Sequence, residues 1–171
     1  MREKPRPVSI VFLLKEDSIL LAMKKRGFGQ GHWNGAGGKP EAGENVIDTA
    51  RRECFEEIGV TPGQLDKVAV INFYAQSKPG DNQQAHVYFC KSWDGEPRET
   101  EEMRPQWFEL GAIPYETMWS DDKYWLPLVL GGKKIEADFY FDDNNQVIKH
   151  KIKKPKLVFC CSNDPKGTWL S

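Results

Sequence analysis

Three glutamates within one short stretch of the chain carry the clearest chemical signal. Glu53, Glu56 and Glu57 are spaced so that, on a helix, they share one face. Like charges at this spacing repel, and each close pair costs a helix a few tenths of a kcal/mol. A divalent cation reverses that repulsion, and ligands that offer only oxygen suit Mg²⁺ or Mn²⁺. The stretch therefore predicts a metal site on a helix.

A glycine-rich loop, GAGGK at residues 35–39, comes shortly before these glutamates. Glycines let a backbone approach a ligand closely, and Lys39 adds a positive charge that suits a phosphate. The simpler alternative is a solvated acidic helix face without any ligand. That alternative explains neither the glycine loop nor the spacing of Glu44 from the acidic cluster.

The helix that must position the glutamates has recognisable ends. Asn45 followed three residues later by Asp48 predicts its start. Gly59 predicts its end, because glycine adopts the left-handed cap conformation at little cost. Between these ends one apolar stripe is expected to face the core, formed by Ile47, Ala50, Cys54 and Ile58.

The whole segment 38–60 reads GKPEAGENVIDTARRECFEEIGV and resembles the Nudix box at every specified position. Members of that family hydrolyse a phosphoanhydride that is joined to a nucleoside moiety. The resemblance implies that Arg52 orients the helix carboxylates. It also implies that Glu53, Glu56 and Glu57 hold metal ions or activate the attacking water.

Segments outside the box indicate the substrate. Residues 23–29, 33–35, 102–108 and 118–125 closely resemble eukaryotic MutT homologues, the oxidised-purine nucleoside triphosphatases or 8-oxo-dGTP diphosphatases. The resemblance implies release of a nucleoside monophosphate and pyrophosphate, which sanitises the nucleotide pool and prevents DNA damage. It also implies roles for individual residues: Asn34, Asp121 and Asp122 contact the base, Trp119 stacks on it, Lys24 lies near the sugar or phosphate, and Glu102 and the Gly37 carbonyl are further metal ligands.

The residue types are consistent with a purine pocket. Such a pocket needs flat apolar walls and a few polar groups, and the candidates for its walls are Phe28, Phe73, Trp119 and Trp125. Asp121 and Asp122 would not both ionise easily among aromatic rings, so one can hold a proton. The alternative for this pair is simple helix capping. The alternative for Glu102 is an exposed loop acid.

Apolar periodicity predicts an α+β domain. Segments 8–14 and 19–23 are predicted to pair as a β-hairpin, and further strands are expected near 68–75, 85–93, 106–110, 135–141 and 147–152. A second helix is predicted from an N-cap at Ser120 to Gly131. The resemblance implies a Nudix fold, with a mixed, curved β-sheet sandwiched between two α-helices.

The 171 residues are enough for one domain with a substantial core. We assign residues 1–154 to that domain and residues 155–171 to a C-terminal extension of unknown role. The net charge of −1 favours neither nucleic acid nor an anionic membrane, and no apolar run reaches membrane-spanning length. Four irregularly spaced cysteines indicate reduced thiols and a cytoplasmic protein, with a mitochondrial or nuclear share left open. We expect a monomer.

Two alternative functions remain open at this point. One is a Nudix pyrophosphatase for another nucleoside diphosphate derivative, such as ADP-ribose or dinucleotide polyphosphates. The other is a non-catalytic nucleotide-binding module with the same fold. Such a module could dispense with the acidic cluster, yet every carboxylate of the box is present.

Overall fold

The computed structural model describes residues 3–155, which form ten strands and two α-helices. In chain order they are β1 (Arg6–Leu13), β2 (Ser18–Lys24), β3 (Trp33–Asn34), α1 (Val46–Ile58), β4 (Thr61–Pro62), β5 (Leu65–Ala75), β6 (Gln83–Cys90), β7 (Trp93–Asp94), β8 (Met103–Glu109), α2 (Asp122–Leu130), β9 (Ile135–Phe141) and β10 (Val147–Lys153).

Five of the strands form a mixed sheet in the order β1-β6-β5-β9-β10. The pairs β1/β6 and β5/β9 are parallel, whereas β5/β6 and β9/β10 are antiparallel. An antiparallel sheet in the order β3-β2-β8 stands beside it, and β4 pairs with β7. The predicted α+β class with a mixed sheet is confirmed.

The two helices cover opposite faces of the five-stranded sheet. Val11 and Leu13 of β1 belong to a hydrophobic cluster that includes Cys54 of α1. Phe12, between them, belongs to a second cluster that includes Trp125 of α2. Successive residues of a strand point to opposite faces, so the sheet lies between the helices, as predicted.

The predicted hairpin between the first two strands is wrong. Within residues 3–155, the ladder between the first two strands is reduced to a single bridge between Leu14 and Ile19. β1 instead pairs with β6 in the large sheet, and β2 pairs with β3 and β8 in the small one. β1 is buried on both faces, by the clusters that contain α1 and α2, so it needs cover from both helices. A hairpin with β2 alone would not supply that cover, whereas pairing with β6 places β1 between the helices.

Both ends of α1 are where the sequence predicts them. The Asn45 side chain accepts a hydrogen bond from the Asp48 backbone N–H at 2.9 Å, and Gly59 has a left-handed φ of 75°. The apolar stripe is shifted, however, because Ile47 is 38% exposed. Val46 packs at the edge of the α1 cluster instead. It lies four residues before Ala50, and this spacing aligns it with the buried positions.

The second helix begins one residue later than predicted. Asp121, not Ser120, occupies the N-cap of α2. The Ser120 hydroxyl instead donates to the Asn145 carbonyl at 3.2 Å and accepts from the Val147 N–H at 3.1 Å. It therefore ties the start of α2 to the turn between β9 and β10.

No helix within residues 3–155 is long and apolar enough to cross a membrane. Cys54 and Cys90 are free thiols, and both are buried. Cys160 and Cys161 lie outside the described residues, as does most of the predicted extension.

Candidate active site

One cleft of about 400 Å³ collects the acidic residues that the sequence indicates. α1 supplies Glu53, Glu56 and Glu57 of the box. Glu102, the residue immediately before β8, lines the same cleft. The residues lining the cleft are Arg26, Glu53, Glu56, Glu57, Thr100, Glu101 and Glu102.

Arg52 links the acidic residues around the cleft. Its Nε and Nη2 donate to the two carboxylate oxygens of Glu44, each at 2.9 Å. Its Nη1 donates to Glu53 at 2.8 Å and to Glu56 at 3.1 Å. The hydrogen bonds from Arg52 lower the pKa of Glu44 to about 2. A planar guanidinium with five donors suits this bridging geometry, so Arg52 fixes the orientation of its neighbours.

Glu57 is the most buried of the cleft carboxylates, with 4% of the residue exposed. Its Oε2 accepts a hydrogen bond from the Gly37 N–H at 3.1 Å. Burial, with the negative charge of Glu53 adding to it, raises the pKa of Glu57 from 4.5 to about 7. Burial also raises the pKa of Glu53. A carboxyl group whose pKa is raised toward neutral pH is suited to act as a general base.

The glycine loop holds the cleft together through close backbone contacts. A Cβ at Gly37 would collide with the backbone carbonyl oxygen of Ser9. A Cβ at Gly38 would lie 2.6 Å from the Glu53 carboxyl carbon. The Ser9 hydroxyl accepts a hydrogen bond from the Gly38 N–H at 3.3 Å. Glycine is thus needed at both positions for different reasons, one of them being room for Glu53.

The side chains of the cleft fit a divalent cation, because they offer several carboxylate oxygens. Burial disfavours their negative charge, and a cation would offset that cost. In the described conformation, no three acidic, histidine or cysteine side chains of residues 3–155 converge closely enough to hold an ion. Basic groups pair with the carboxylates instead. Lys24 approaches Glu57 and Glu102, and Arg52 approaches Glu53.

Trp119 stands at the centre of an aromatic group that it forms with the loop after β2. The His32 ring lies flat on its indole, with ring centroids 4.6 Å apart and planes 13° apart. Phe28, which is 75% exposed, lies 5.2 Å from the same indole. Gly29 also comes close, because a Cβ there would lie 3.1 Å from the indole ring. The loop after β2 therefore folds against Trp119 and leaves Phe28 accessible.

Asp121 and Asp122 are both buried, at 2% and 3% exposure. The Trp125 indole N–H donates to Asp121 at 2.8 Å, and the Trp119 backbone N–H donates to Asp122 at 3.1 Å. Burial raises the pKa of Asp121 to about 6. Burial and the neighbouring charge of Asp121 raise the pKa of Asp122 well above its usual value. The pair retains a proton more readily than exposed carboxyls do.

One of the predicted pocket walls is fully buried in the core. Trp125 is completely buried and packs on Phe12, so it holds Asp121 from behind and presents no face to a ligand. Phe73 is half-buried and contacts the rings of Phe139 and Phe141, and its role as a pocket wall stays a prediction. Aromatic character alone does not separate residues that line a pocket from residues that fill the core.

The strand β2 runs between the acidic cleft and the aromatic group around Trp119. Lys24 stands at its end, opposite Met103, and Ala22 pairs with Asn34. The side-chain oxygen of Asn34 accepts from the Gly35 N–H at 2.8 Å. A bridge between Trp33 and Met118 places the next residue, Trp119, beside β3.

Two further residues, one beside Trp119 and one lining the acidic cleft, carry no signal in the sequence. His32 stacks on Trp119, although nothing in its spacing distinguishes it from a loop histidine. Thr100 donates to the Glu57 carbonyl at 2.8 Å and accepts from the Met103 N–H at 3.2 Å. It joins the end of α1 to the start of β8, a contact between segments distant in the chain.

The chain is similar to known proteins over most of its length. The NUDIX domain family matches residues 3–129. A mouse protein named oxidized purine nucleoside triphosphate hydrolase is 42% identical over 149 residues, covering 87% of this chain and 95% of that protein. A zebrafish protein of the same name is 40% identical over 145 residues, covering 85% and 92%. The crystal structure of a MutT protein from Bacillus halodurans has a similar fold, with a TM-score of 0.76 and 22% identity over 86% of this chain and 97% of the other.

Proposed function

Because this chain belongs to the NUDIX domain family, we propose that it hydrolyses oxidised purine nucleoside triphosphates, such as 8-oxo-dGTP, to the nucleoside monophosphate and pyrophosphate. The observation that carries this proposal is the buried pair Asp121 and Asp122 beside Trp119. The names of the mouse and zebrafish relatives support the same substrate class. The biological result is removal of damaged nucleotides before they enter DNA.

The carboxyl pair suits an altered purine edge. N7 of guanine is a hydrogen-bond acceptor, and oxidation at C8 turns it into an N–H donor. Two ionised aspartates can only accept, whereas a pair that retains one proton offers both an acceptor and a donor. Asp121 and Asp122 can therefore match the oxidised base, while Trp119 and the exposed Phe28 offer stacking surface and Asn34 offers an amide.

We propose Mg²⁺ as the cofactor, with Mn²⁺ as a substitute, because carboxylate oxygens are the available donors. The residues that would hold it are Gly37 through its carbonyl, Glu53, Glu56, Glu57 and Glu102. When bound, such an ion neutralises phosphate charge and acidifies water.

The chain's own groups perform the remaining tasks. Arg52 keeps Glu53 and Glu56 oriented through its hydrogen bonds. Glu57 takes a proton from the attacking water, for which a pKa near neutrality is suited. Glu56 is the alternative base, since it lines the same cleft. Lys24 supplies positive charge on the phosphate side.

The decisive experiment compares kcat/KM for 8-oxo-dGTP and dGTP by pyrophosphate release in the presence of Mg²⁺. We expect a preference of about tenfold or more for the oxidised nucleotide, which corresponds to about 1.4 kcal/mol of transition-state binding. Equal and rapid hydrolysis of both would contradict the substrate assignment. The assay would then extend to ADP-ribose and dinucleotide polyphosphates.

Variants of the aspartate pair test how the base is recognised. Asp121→Ala and Asp122→Asn should reduce the preference for the oxidised nucleotide much more than they reduce folding. Asp66→Asn, an exposed aspartate at the start of β5, is the matched control and should retain the preference. Wild-type selectivity in either pair variant would remove the proposed base-reading role.

We also propose a cytoplasmic monomer that acts on small nucleotides and has no nucleic acid partner. The buried, unpaired Cys54 and Cys90 support a reducing compartment. Size-exclusion chromatography with light scattering tests the oligomeric state, and a mass twice that of one chain would contradict it.

A further inference from the structure

Lys24 lies between two acidic residues that line the cleft, Glu57 and Glu102. Its ammonium nitrogen lies 4.0 Å from Oε1 of Glu57 and 3.5 Å from Oε2 of Glu102. The Lys24 side chain is 27% exposed and that of Glu57 only 5%, so this pairing is largely withdrawn from water. It joins one carboxylate of α1 to one that precedes β8.

Arg26 completes the neutralisation of Glu102 from the other side. Its Nη2 lies 3.3 Å from Oε1 of Glu102, and its Nη1 lies 3.6 Å from Glu101. Arg26 is mostly exposed, however, with 60% of its side chain open to solvent. Lys24 is therefore the less exposed of the two cations at Glu102, and the one that also reaches Glu57.

An ammonium and a divalent cation cannot share this position. Both would be attracted by the same oxygens of Glu57 and Glu102, and their own charges repel strongly at such short range. Lys24 is the last residue of β2 and carries a flexible four-carbon stem, so its ammonium can move without moving the strand.

We propose that Lys24 is an exchangeable counterion, which holds Glu57 and Glu102 together in the metal-free protein and is displaced by the metal ion. Once displaced, its ammonium is available to the triphosphate of the substrate. This inference rests on the metal site of the proposed function, but not on the identity of the base.

The exchange couples two binding events. Without the metal, Lys24 is paired with carboxylates and contributes little to phosphate binding. With the metal, Lys24 is released, so the triphosphate binds more tightly. Thermodynamic reciprocity then requires that the triphosphate tighten metal binding by the same factor.

The first test measures Mn²⁺ binding to the nucleotide-free protein by electron paramagnetic resonance of the free ion. Lys24→Met removes the competitor and should tighten Mn²⁺ binding by about threefold or more. Lys25→Met is the matched control, because Lys25 carries the same charge one residue away but pairs with Glu99 at 2.8 Å. It should change the affinity by less than about twofold, since its effect is long-range and screened.

Lys24→Arg makes the test independent of how well the methionine variant folds. A guanidinium can bridge two carboxylates with several fixed donors, so this variant should bind Mn²⁺ more weakly than the wild type. If Lys24→Met binds Mn²⁺ no more tightly than Lys25→Met, or if Lys24→Arg binds it more tightly than the wild type, the counterion role is wrong.

The second test measures the coupling itself. The affinity for an α,β-imido analogue of dGTP is determined with and without Mn²⁺ by calorimetry. The factor by which Mn²⁺ tightens the analogue should be smaller in Lys24→Met than in the wild type and in Lys25→Met. An unchanged factor would overturn the proposed exchange. Both tests are separate from the 8-oxo-dGTP comparison, so failure of one proposal can be distinguished from failure of the other.

Discussion

Glu57 is almost fully buried beside other carboxylates, and this environment disfavours its ionised form. A neutral amide of the same shape removes its charge and its ability to take a proton. We expect Glu57→Gln to lower kcat by about 10² to 10⁴, the usual contribution of a positioned base. The affinity for the nucleoside monophosphate product should change little, because the base side of the site is untouched.

Pyrophosphate release and product calorimetry check this prediction about Glu57. Glu109→Gln is a suitable control, since Glu109 is exposed at the opposite end of β8 from the cleft. Turnover of Glu57→Gln close to that of the control would rule out Glu57 as base and as metal ligand.

The aspartate pair makes folding dependent on pH. Because burial raises the pKa of Asp121 from 3.8 to about 6, the folded protein binds more protons than the unfolded chain in that interval. The free energy of unfolding therefore falls as pH rises through this interval. Asp121→Asn cannot ionise, so its unfolding free energy should fall less over the same interval.

Urea unfolding in the presence of a chelator, at several pH values between about 4 and 7, measures this difference in slope. The exposed control Asp66→Asn should follow the wild type. Parallel curves for Asp121→Asn and the wild type would mean that Asp121 ionises normally in the folded state.

At the scale of elements, substitutions at two glycines of the loop before α1 should have different effects, one on activity and the other on folding. At Gly38 an added Cβ meets the end of the flexible Glu53 side chain, which can move aside. At Gly37 it meets rigid backbone of Ser9. We expect Gly38→Ala to fold but to lose about tenfold or more in kcat, because small displacements of a catalytic group are costly. Gly37→Ala should destabilise the whole domain.

Thermal unfolding and turnover together check the prediction about this loop. Gly111→Ala is the control, since an added Cβ there has no atom within 4 Å among the described residues. Full activity of Gly38→Ala would show that Glu53 does not need its observed position.

The elements also illustrate which structural features a sequence can predict. The ends of α1 depend on local groups, Asn45 and Gly59, and both are where they are expected. The partner of β1 depends on burial by distant segments, and the hairpin prediction fails for that reason. Ser120 is a residue type that often caps helices, but its hydroxyl instead donates a hydrogen bond to the β9–β10 turn.

The candidate site follows the same division. The carboxylates of α1 are neighbours in sequence, so their common face could be predicted. The stacking of His32 on Trp119 and the approach of Lys24 to Glu102 join segments far apart in the chain. Only the folded arrangement reveals such pairs.

At the scale of the whole molecule, metal and protons compete for the cleft. Metal ligands must be deprotonated, and the pKa of Glu57 is about 7 in the metal-free protein. We expect Mg²⁺ to raise the melting temperature near pH 8, in line with ligand linkage. The increase should shrink as pH falls through about 7, because protonated Glu57 binds the ion poorly.

Differential scanning fluorimetry with Mg²⁺ or with chelator, at a series of pH values, measures this dependence. Ca²⁺-free buffers of constant ionic strength keep general salt effects equal. An Mg²⁺-induced shift that is constant from about pH 5.5 to 8 would contradict the raised pKa of Glu57.

The two hydrophobic clusters on the two faces of the sheet have a consequence for how this protein can change over generations. The helix that carries the glutamates packs on one cluster. Asp121 accepts a hydrogen bond from Trp125, which belongs to the other cluster. Under the proposed function, inherited substitutions around α2 can therefore change which nucleobase is accepted, while the helix that carries the glutamates keeps its geometry. A duplicated gene with this architecture can acquire a new substrate without first losing its reaction.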